Sequence, residues 1–229
     1  MRFPNWSALV FLSLLLPFAW CLHGEPVADP FAKWEREISA FEAKDLENPP
    51  PKNAIVFIGS SSIRKWTTLA EDFPHHQVIN RGFGGSQLID SVHFADRIVL
   101  PYEPRMIVLY AGSNDIHAGK SPEQVFADFQ AFVEKVRAKL PKTEIAYISI
   151  AGNPSRWAEV EKLKTANRLI ADYIKDKAGL KFIDVFPRML GSDGEPQPDI
   201  FVGDRLHMNA KGYKLWTEIV GTFLPAPDR

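Results

Sequence analysis

The sequence has a single cysteine and almost no net charge. Because Cys21 is the only cysteine in 229 residues, the chain can form no internal disulfide and no cysteine-based zinc cluster. Its 27 lysines and arginines nearly balance its 28 aspartates and glutamates. No strong positive field therefore exists to attract nucleic acid, and we expect no nucleic-acid partner. The length and the 45% hydrophobic content are sufficient for one sizeable core.

Long apolar runs are also scarce, apart from one near the start of the chain. There, Arg2 precedes an apolar stretch at residues 8–20, a pattern typical of a secretory signal peptide. The stretch is shorter than the roughly 20 apolar residues that a membrane-spanning helix needs. We therefore predict a signal peptide over residues 1–21, an exported protein that is periplasmic or secreted, and no stable membrane span after removal of the leader.

Two interpretations of the end of this leader stay open. Ala19 and Cys21 fit the small residues that precede a cleavage site, which predicts cleavage after Cys21. In the alternative, Cys21 becomes the first residue of a lipoprotein and carries the lipid. Trp20 disfavours this alternative, because a small residue normally precedes a lipidated cysteine.

The segment at residues 22–53 predicts an amphipathic helix followed by a proline-rich lead-in. Asp29 and Pro30 suit the start of a helix. The apolar residues that then recur at helical spacing are Phe31, Trp34, Ile38 and Phe41. Three prolines at positions 49–51 end the helix and force an extended chain.

Within residues 54–225, short apolar runs alternate with segments of helical periodicity. The strand-like runs lie at residues 54–58, 78–80, 106–110, 145–150 and 182–185. The helical segments lie at residues 87–100, 122–140, 158–177 and 210–223. Since strands that are apolar throughout need cover on both faces, the pattern predicts a three-layer α/β/α sandwich around a central, mostly parallel five-stranded sheet. No linker divides residues 54–225, so we treat them as one domain.

Ligands of an open parallel sheet bind at the carboxyl ends of its strands, so the segments that follow the strands matter most. Those with suggestive chemistry are Gly59-Ser60-Ser61-Ser62, residues 80–86, Ala111-Gly112-Ser113-Asn114-Asp115 and Asp204-Arg205-Leu206-His207. Taken singly, each has a commoner explanation as a turn, a helix cap or, for His207, a surface histidine near a helix start. The glycine-rich segment is not a dinucleotide fingerprint, because Gln87 stands in place of the third glycine.

Taken together, these segments supply the parts of a serine hydrolase. A serine hydroxyl needs a positioned base, and a histidine needs a carboxylate that fixes its tautomer. Ser61, His207 and Asp204 meet those needs. The backbone amides of Ser61 and Gly85 and the side chain of Asn114 are suitable donors for an oxyanion hole, which stabilises negative charge on the carbonyl oxygen.

In their order along the chain, the four segments resemble the blocks of the SGNH/GDSL hydrolases, and the resemblance extends from Ile55 to Asn209. It implies a flavodoxin-like acylhydrolase fold, Ser61 as nucleophile, Asp204 and His207 as the rest of the triad, and Gly85 and Asn114 in the oxyanion hole. It also implies catalysis without a metal or an organic cofactor. Within the family, the compact chain is most similar to platelet-activating-factor acetylhydrolase catalytic subunits and bacterial carbohydrate acetylesterases.

The serine block departs from the family pattern at one position. The residue before the nucleophile is usually aspartate, and here it is Ser60. The departure leaves open which hydroxyl of Ser60, Ser61 and Ser62 attacks, and the register of the block favours Ser61.

Several other polar residues are candidates for substrate binding. They are Ser60, His117, Asn153, Arg156, Trp157 and Arg205. A loop that merely covers the sheet explains Asn153, Arg156 and Trp157 equally well, and a surface salt bridge explains Arg205. The histidines show no spacing typical of a metal site.

The leading hypothesis is hydrolysis of short acyl esters, with O-acetyl groups on carbohydrate as the expected substrate. A lysophospholipase or thioesterase that acts on longer acyl chains is the first alternative. The second is a catalytically silent protein that binds carbohydrate or another surface. The expected partner is thus a small-molecule or carbohydrate ester, and the sequence predicts no particular oligomeric state.

Overall fold

The computed structural model describes residues 29–227. The predicted signal peptide and Cys21 lie outside the described residues. Between residues 29 and 227, no helix is both long enough and apolar enough to cross a bilayer.

The centre of the fold is a sheet of five parallel strands in the order β2-β1-β3-β4-β5. The strands are β1 (Ile55–Gly59), β2 (Val78–Gly82), β3 (Met106–Tyr110), β4 (Glu144–Ile148) and β5 (Leu180–Ile183). This topology confirms the predicted flavodoxin-like sheet. The runs predicted at 145–150 and 182–185 extended too far, because the Val185 amide donates to the Ser149 hydroxyl (3.0 Å) rather than to the backbone of β4.

Helices cover both faces of the sheet. They are α1 (Glu35–Glu47), α2 (Ser61–Arg64), α3 (Leu69–Asp72), α4 (Leu88–Ile98), α5 (Ser113–His117), α6 (Pro122–Lys139), α7 (Val160–Ile174) and α8 (Ala210–Gly221). Short 3-10 segments lie at Ala32–Trp34, Leu100–Tyr102, Pro154–Glu159, Pro187–Met189 and Pro198–Ile200.

The core consists of two apolar layers, one on each face of the sheet. Helices α1, α4, α6 and α7 contribute to the layer that contains Val56 and Ile58 of β1. Helices α2, α3 and α8 contribute to the layer that contains Ile55 and Phe57. Successive side chains of one strand therefore enter opposite layers, both of them dry, which accounts for strands that are apolar throughout.

Helices α2, α3 and α5 were not predicted. Each has four or five residues, which is too short for a hydrophobic period to emerge. Two of them matter for function, because α2 begins at Ser61 and α5 contains Asn114.

Helix α1 is fastened to the edge strand β2 by a partly buried ion pair. The Arg81 side chain, 8% exposed, donates from Nη2 to Oδ1 of Asp45 (2.5 Å) and from Nε to the Tyr102 hydroxyl (2.8 Å). The Tyr102 hydroxyl in turn donates to Oδ2 of Asp45 (2.5 Å). Burial, together with this carboxylate, raises the pKa of Tyr102 to about 12. The guanidinium also lies over the ring of Phe41, 5.0 Å from its centroid.

We expect Asp45→Ala to lower the free energy of unfolding by about 3 kcal/mol, because it leaves the Arg81 guanidinium buried without its carboxylate. Glu47→Ala, an exposed position on the same helix, is the matched control and is expected to change stability by less than about 0.5 kcal/mol. Urea denaturation measures both. Equal losses in the two variants would show that the ion pair does not hold the helix.

Candidate active site

Ser61 is placed at the carboxyl edge of the sheet by an unusually close approach between β1 and β3. Gly59 has a φ of +138°, and a β-carbon there would lie 1.9 Å from the carbonyl oxygen of Tyr110. The Ser60 amide donates to that same oxygen (3.0 Å). The chain then turns sharply, so that Ser61 becomes the first residue of α2 at the end of a central strand.

Ser61, His207 and Asp204 form a continuous row of hydrogen bonds. The hydroxyl oxygen of Ser61 lies 2.9 Å from Nε2 of His207, and Nδ1 of the same ring lies 2.6 Å from Oδ2 of Asp204. Hydrogen bonds from the side chain and the backbone of His207 hold the pKa of Asp204 well below its usual range. An ionised carboxylate only accepts, so Nδ1 carries the ring hydrogen and Nε2 is left to accept the hydroxyl proton of Ser61.

Local geometry orients the carboxylate of Asp204. Its Oδ1 accepts hydrogen bonds from the amides of Leu206 and His207, both at 2.9 Å. This tight turn requires Arg205 to adopt a left-handed conformation, with a φ of +57°. Asn209 then caps α8 by accepting from the amide of Lys211, so the histidine is held just ahead of a regular helix.

Asn114 lies against the glycine-rich loop that follows β2. Its Nδ2 donates to the carbonyl oxygen of Ser86 (2.9 Å), which directly follows Gly85. Gly85 has a φ of +74°, in the region that favours glycine. Neither its amide nor that of Ser61 donates a hydrogen bond to any residue between 29 and 227, so both amides are available to a ligand.

The buried carboxylate of Asp115 connects α5 to the start of α4, which follows the glycine-rich loop. The carboxylate of Asp115, which is fully buried, accepts from the Leu88 amide at the start of α4 and from Lys120 (2.9 Å). Burial raises the pKa of Asp115, whereas the Lys120 ammonium opposes that rise. Asp115, the residue after Asn114, therefore fixes the position of α5 relative to α4.

Helix α1 covers the outer side of the same loop. The Gly84 amide donates to Oε2 of Glu37 (3.4 Å), and a β-carbon at Gly85 would lie 3.4 Å from the Trp34 ring. Trp34 and Glu37, which belong to a segment predicted only as a helix and a lead-in, thus support the glycine-rich loop from outside.

A narrow cavity extends from the row of hydrogen bonds into the core. It measures about 20 Å³, room for about one water molecule. Ser60, Ser61, Asn114, Asn153, Arg156 and His207 line its polar side. Its apolar wall was not predicted from the sequence and consists of Tyr110, Ala151, Met189, Phe201, Leu206, Met208 and Trp216. Tyr110 is the last residue of β3 and Ala151 lies three residues after the end of β4, so closeness to a strand end is the one local signal that pointed toward them.

The remaining candidates lie outside the lining of this cavity. Trp157 stacks on Phe186, with ring centroids 6.3 Å apart, and His117 pairs with Oε1 of Glu159 (2.8 Å). Arg205 is exposed, and its carbonyl oxygen accepts from the Ser155 amide (3.1 Å). Gly85 is not among the lining residues, although the next residue, Ser86, contacts Asn114. Over residues 29–227, no three His, Cys, Asp or Glu side chains are grouped so that they could hold a metal ion.

Comparison with known families gives one match that covers most of the chain. The model of the GDSL-like lipase/acylhydrolase family matches residues 58–215. The matched range contains the serine turn, the glycine-rich loop, Asn114 and the Asp204/His207 pair. No curated protein matches the chain by sequence.

Solved structures with the same architecture are distant in sequence. A Streptococcus pneumonia protein, provisionally described as a platelet activating factor, gives a TM-score of 0.74 at 22% identity over 84% of this chain and 94% of that one. A GDSL-like lipase from Bacteroides thetaiotaomicron gives 0.71 at 19% identity over 84% and 97%. A variant of an acetyl-xylooligosaccharide esterase from Geobacillus Stearmophilus gives 0.61 at 13% identity over 79% and 99%. At such identities the similarity shows a shared fold.

We expect Gly59→Ala to lower the free energy of unfolding by more than about 4 kcal/mol, because its β-carbon would overlap the backbone of β3. Gly194→Ala is the matched control. Gly194 also has a positive φ but has open space around it, so its replacement is expected to cost only about 1–2 kcal/mol. Similar denaturation midpoints for the two variants would contradict the steric explanation.

Proposed function

The chain belongs to the GDSL-like lipase/acylhydrolase family and is an ester hydrolase, and from this premise we propose that it removes short acyl groups by nucleophilic attack of Ser61. One observation carries the proposal: the Ser61 hydroxyl oxygen lies 2.9 Å from Nε2 of a histidine whose other nitrogen contacts an ionised aspartate. Ser62 is a poorer candidate for nucleophile, because the hydroxyl in hydrogen-bond contact with His207 is that of Ser61.

In the proposed reaction, Oγ of Ser61 attacks the ester carbonyl carbon while its proton passes to Nε2 of His207. Asp204 stabilises the imidazolium that forms. The carbonyl oxygen becomes an oxyanion, which accepts hydrogen bonds from the amides of Ser61 and Gly85 and from Nδ2 of Asn114. His207 then protonates the departing alcohol, and the acyl group remains on Ser61. A water molecule, deprotonated by His207, releases the acid and restores the serine.

The size of the cavity supports a short acyl group. At about 20 Å³ it has room for a substituent no larger than a few atoms unless its walls move. Two residues of its wall, Met189 and Trp216, are almost fully buried, and the indole nitrogen of Trp216 lies 3.3 Å from the sulfur of Met189. An acetyl group is therefore the proposed acyl part, whereas the long chain of a lysophospholipid would need a groove outside this cavity.

Two observations support a carbohydrate as the alcohol part. A structural relative, although only 13% identical, is an acetyl-xylooligosaccharide esterase. The leader predicted at residues 1–21 would export the enzyme to a compartment where polysaccharides occur. Together they favour O-acetyl groups on a sugar chain over the ester of a small soluble alcohol.

We expect Ser61→Ala and His207→Ala each to lower kcat on 4-nitrophenyl acetate by about 10⁵-fold or more, because the triad acts as a unit. A fluorophosphonate probe is expected to label the wild type and not Ser61→Ala. Ser62→Ala is the matched control and should still be labelled. Labelling of Ser61→Ala would refute the assignment, and no labelling of the folded wild type would favour a catalytically silent protein.

The acyl preference is tested with 4-nitrophenyl esters from acetyl to palmitoyl and with acetylated xylo-oligosaccharide. We expect the highest kcat/KM with acetyl. Met189→Ala is expected to raise the ratio of butyryl to acetyl kcat/KM by about tenfold, since extra methylene groups then fit. Met106→Ala, an equally buried methionine outside the cavity lining, should leave the ratio unchanged. A wild-type preference for palmitoyl would support the lysophospholipase or thioesterase alternative instead.

A further inference from the structure

Arg156 holds the side chain of Asn114 from the side opposite the glycine-rich loop. Its Nη1 donates to Oδ1 of Asn114 (2.9 Å) and to the hydroxyl of Ser113 (2.9 Å). We propose that Arg156 is a positioning residue of the oxyanion hole, which acts by fixing the orientation of the Asn114 carboxamide. The inference rests on the proposed function, in which Nδ2 of Asn114 stabilises the oxyanion.

The hydrogen-bond chemistry of the two side chains leaves one orientation. A guanidinium only donates, so the carboxamide must turn its oxygen toward Arg156. At the other end, the Ser86 carbonyl oxygen only accepts, and Nδ2 lies 2.9 Å from it. A flipped carboxamide would direct its NH2 group at the guanidinium and its oxygen at the carbonyl oxygen of Ser86. In the orientation that is selected, one hydrogen of Nδ2 is used by Ser86 and the other remains for the substrate.

Arg156 is itself held in place by the segment after β4. Its amide donates to Oδ1 of Asn153 (3.0 Å), and the Ser155 amide donates to the carbonyl oxygen of Arg205 in the turn before His207. The segment therefore connects two parts of the site: Arg156 contacts Asn114, and Ser155 contacts the turn that precedes His207. Burial lowers the pKa of Arg156, but an arginine starts so high that it stays charged and keeps its donors.

The competing explanation is that Arg156 contacts the substrate. Its Nε and Nη2 donate to no residue between 29 and 227, and the side chain lines the cavity, so such a contact is sterically open. The two explanations differ in a measurable way. A positioning residue loses its effect when Asn114 is absent, whereas a substrate-binding residue retains it and mainly changes KM.

The test is a double-mutant cycle on the full chain with 4-nitrophenyl acetate. We expect Asn114→Ala to lower kcat by about 10²-fold and Arg156→Met by about tenfold, because Ser86 still favours the correct orientation when Arg156 is lost. Both should leave KM within about twofold. In the Asn114→Ala background, Arg156→Met should lower kcat by less than about twofold. Arg156→Lys, which keeps one charged donor, should recover part of the loss.

Arg168→Met, an exposed arginine on α7, is the matched control and should keep wild-type kcat. Thermal unfolding of every variant separates loss of positioning from loss of the fold. Equal effects of Arg156→Met with and without Asn114, or a change confined to KM, would overturn the inference and leave the proposed function intact. A wild-type kcat in Asn114→Ala would overturn both the oxyanion role of Asn114 and the inference built on it.

Discussion

The backbone contact between Gly59 and Tyr110 is the constraint on which the site depends. Because Gly59 has no β-carbon, β1 stays beside β3 up to the pair Gly59 and Tyr110, and the chain is then free to turn at Ser60. The hydroxyl of Ser61, which follows β1, and the carboxamide of Asn114, which follows β3, thereby lie at the same edge of the sheet. His207 lies far along the chain, just before α8, but at the same edge of the sheet. The site thus belongs to the edge of a parallel sheet as a whole.

Much of this arrangement could be predicted because its signals are local. The inner strands β1 and β3 are apolar on both faces. Ser121, Pro122 and Gln124 mark the start of α6 with a capping box that the structure contains. The polar segments immediately follow those strands, so parallel topology alone brings them together. The sequence therefore predicted that Ser61, His207 and Asp204 would meet, and in the structure their side chains are in hydrogen-bond contact.

The cavity wall, the contact between Arg156 and Asn114, and the short helices had no local signal in the sequence. Met189 and Phe201 lie in the irregular segment after β5, and Trp216 lies on α8, so their shared cavity results from packing over long separations. The contact between Arg156 and Asn114 spans 42 residues, and no periodicity or motif links the two positions. Short helices such as α2 and α5 escape prediction for a related reason, since they are stabilised by the loops they join rather than by an amphipathic pattern.

The position of α1 bears on how far the chain can be shortened from its start. The indole of Trp34 and the carboxylate of Glu37 adjoin the glycine-rich loop, although both precede the first strand in the chain. Removal of the chain up to β1 would leave Ser61, His207 and Asp204 in place but would take away the outer support of the glycine-rich loop. A shortened chain that keeps this support therefore has to begin upstream of α1.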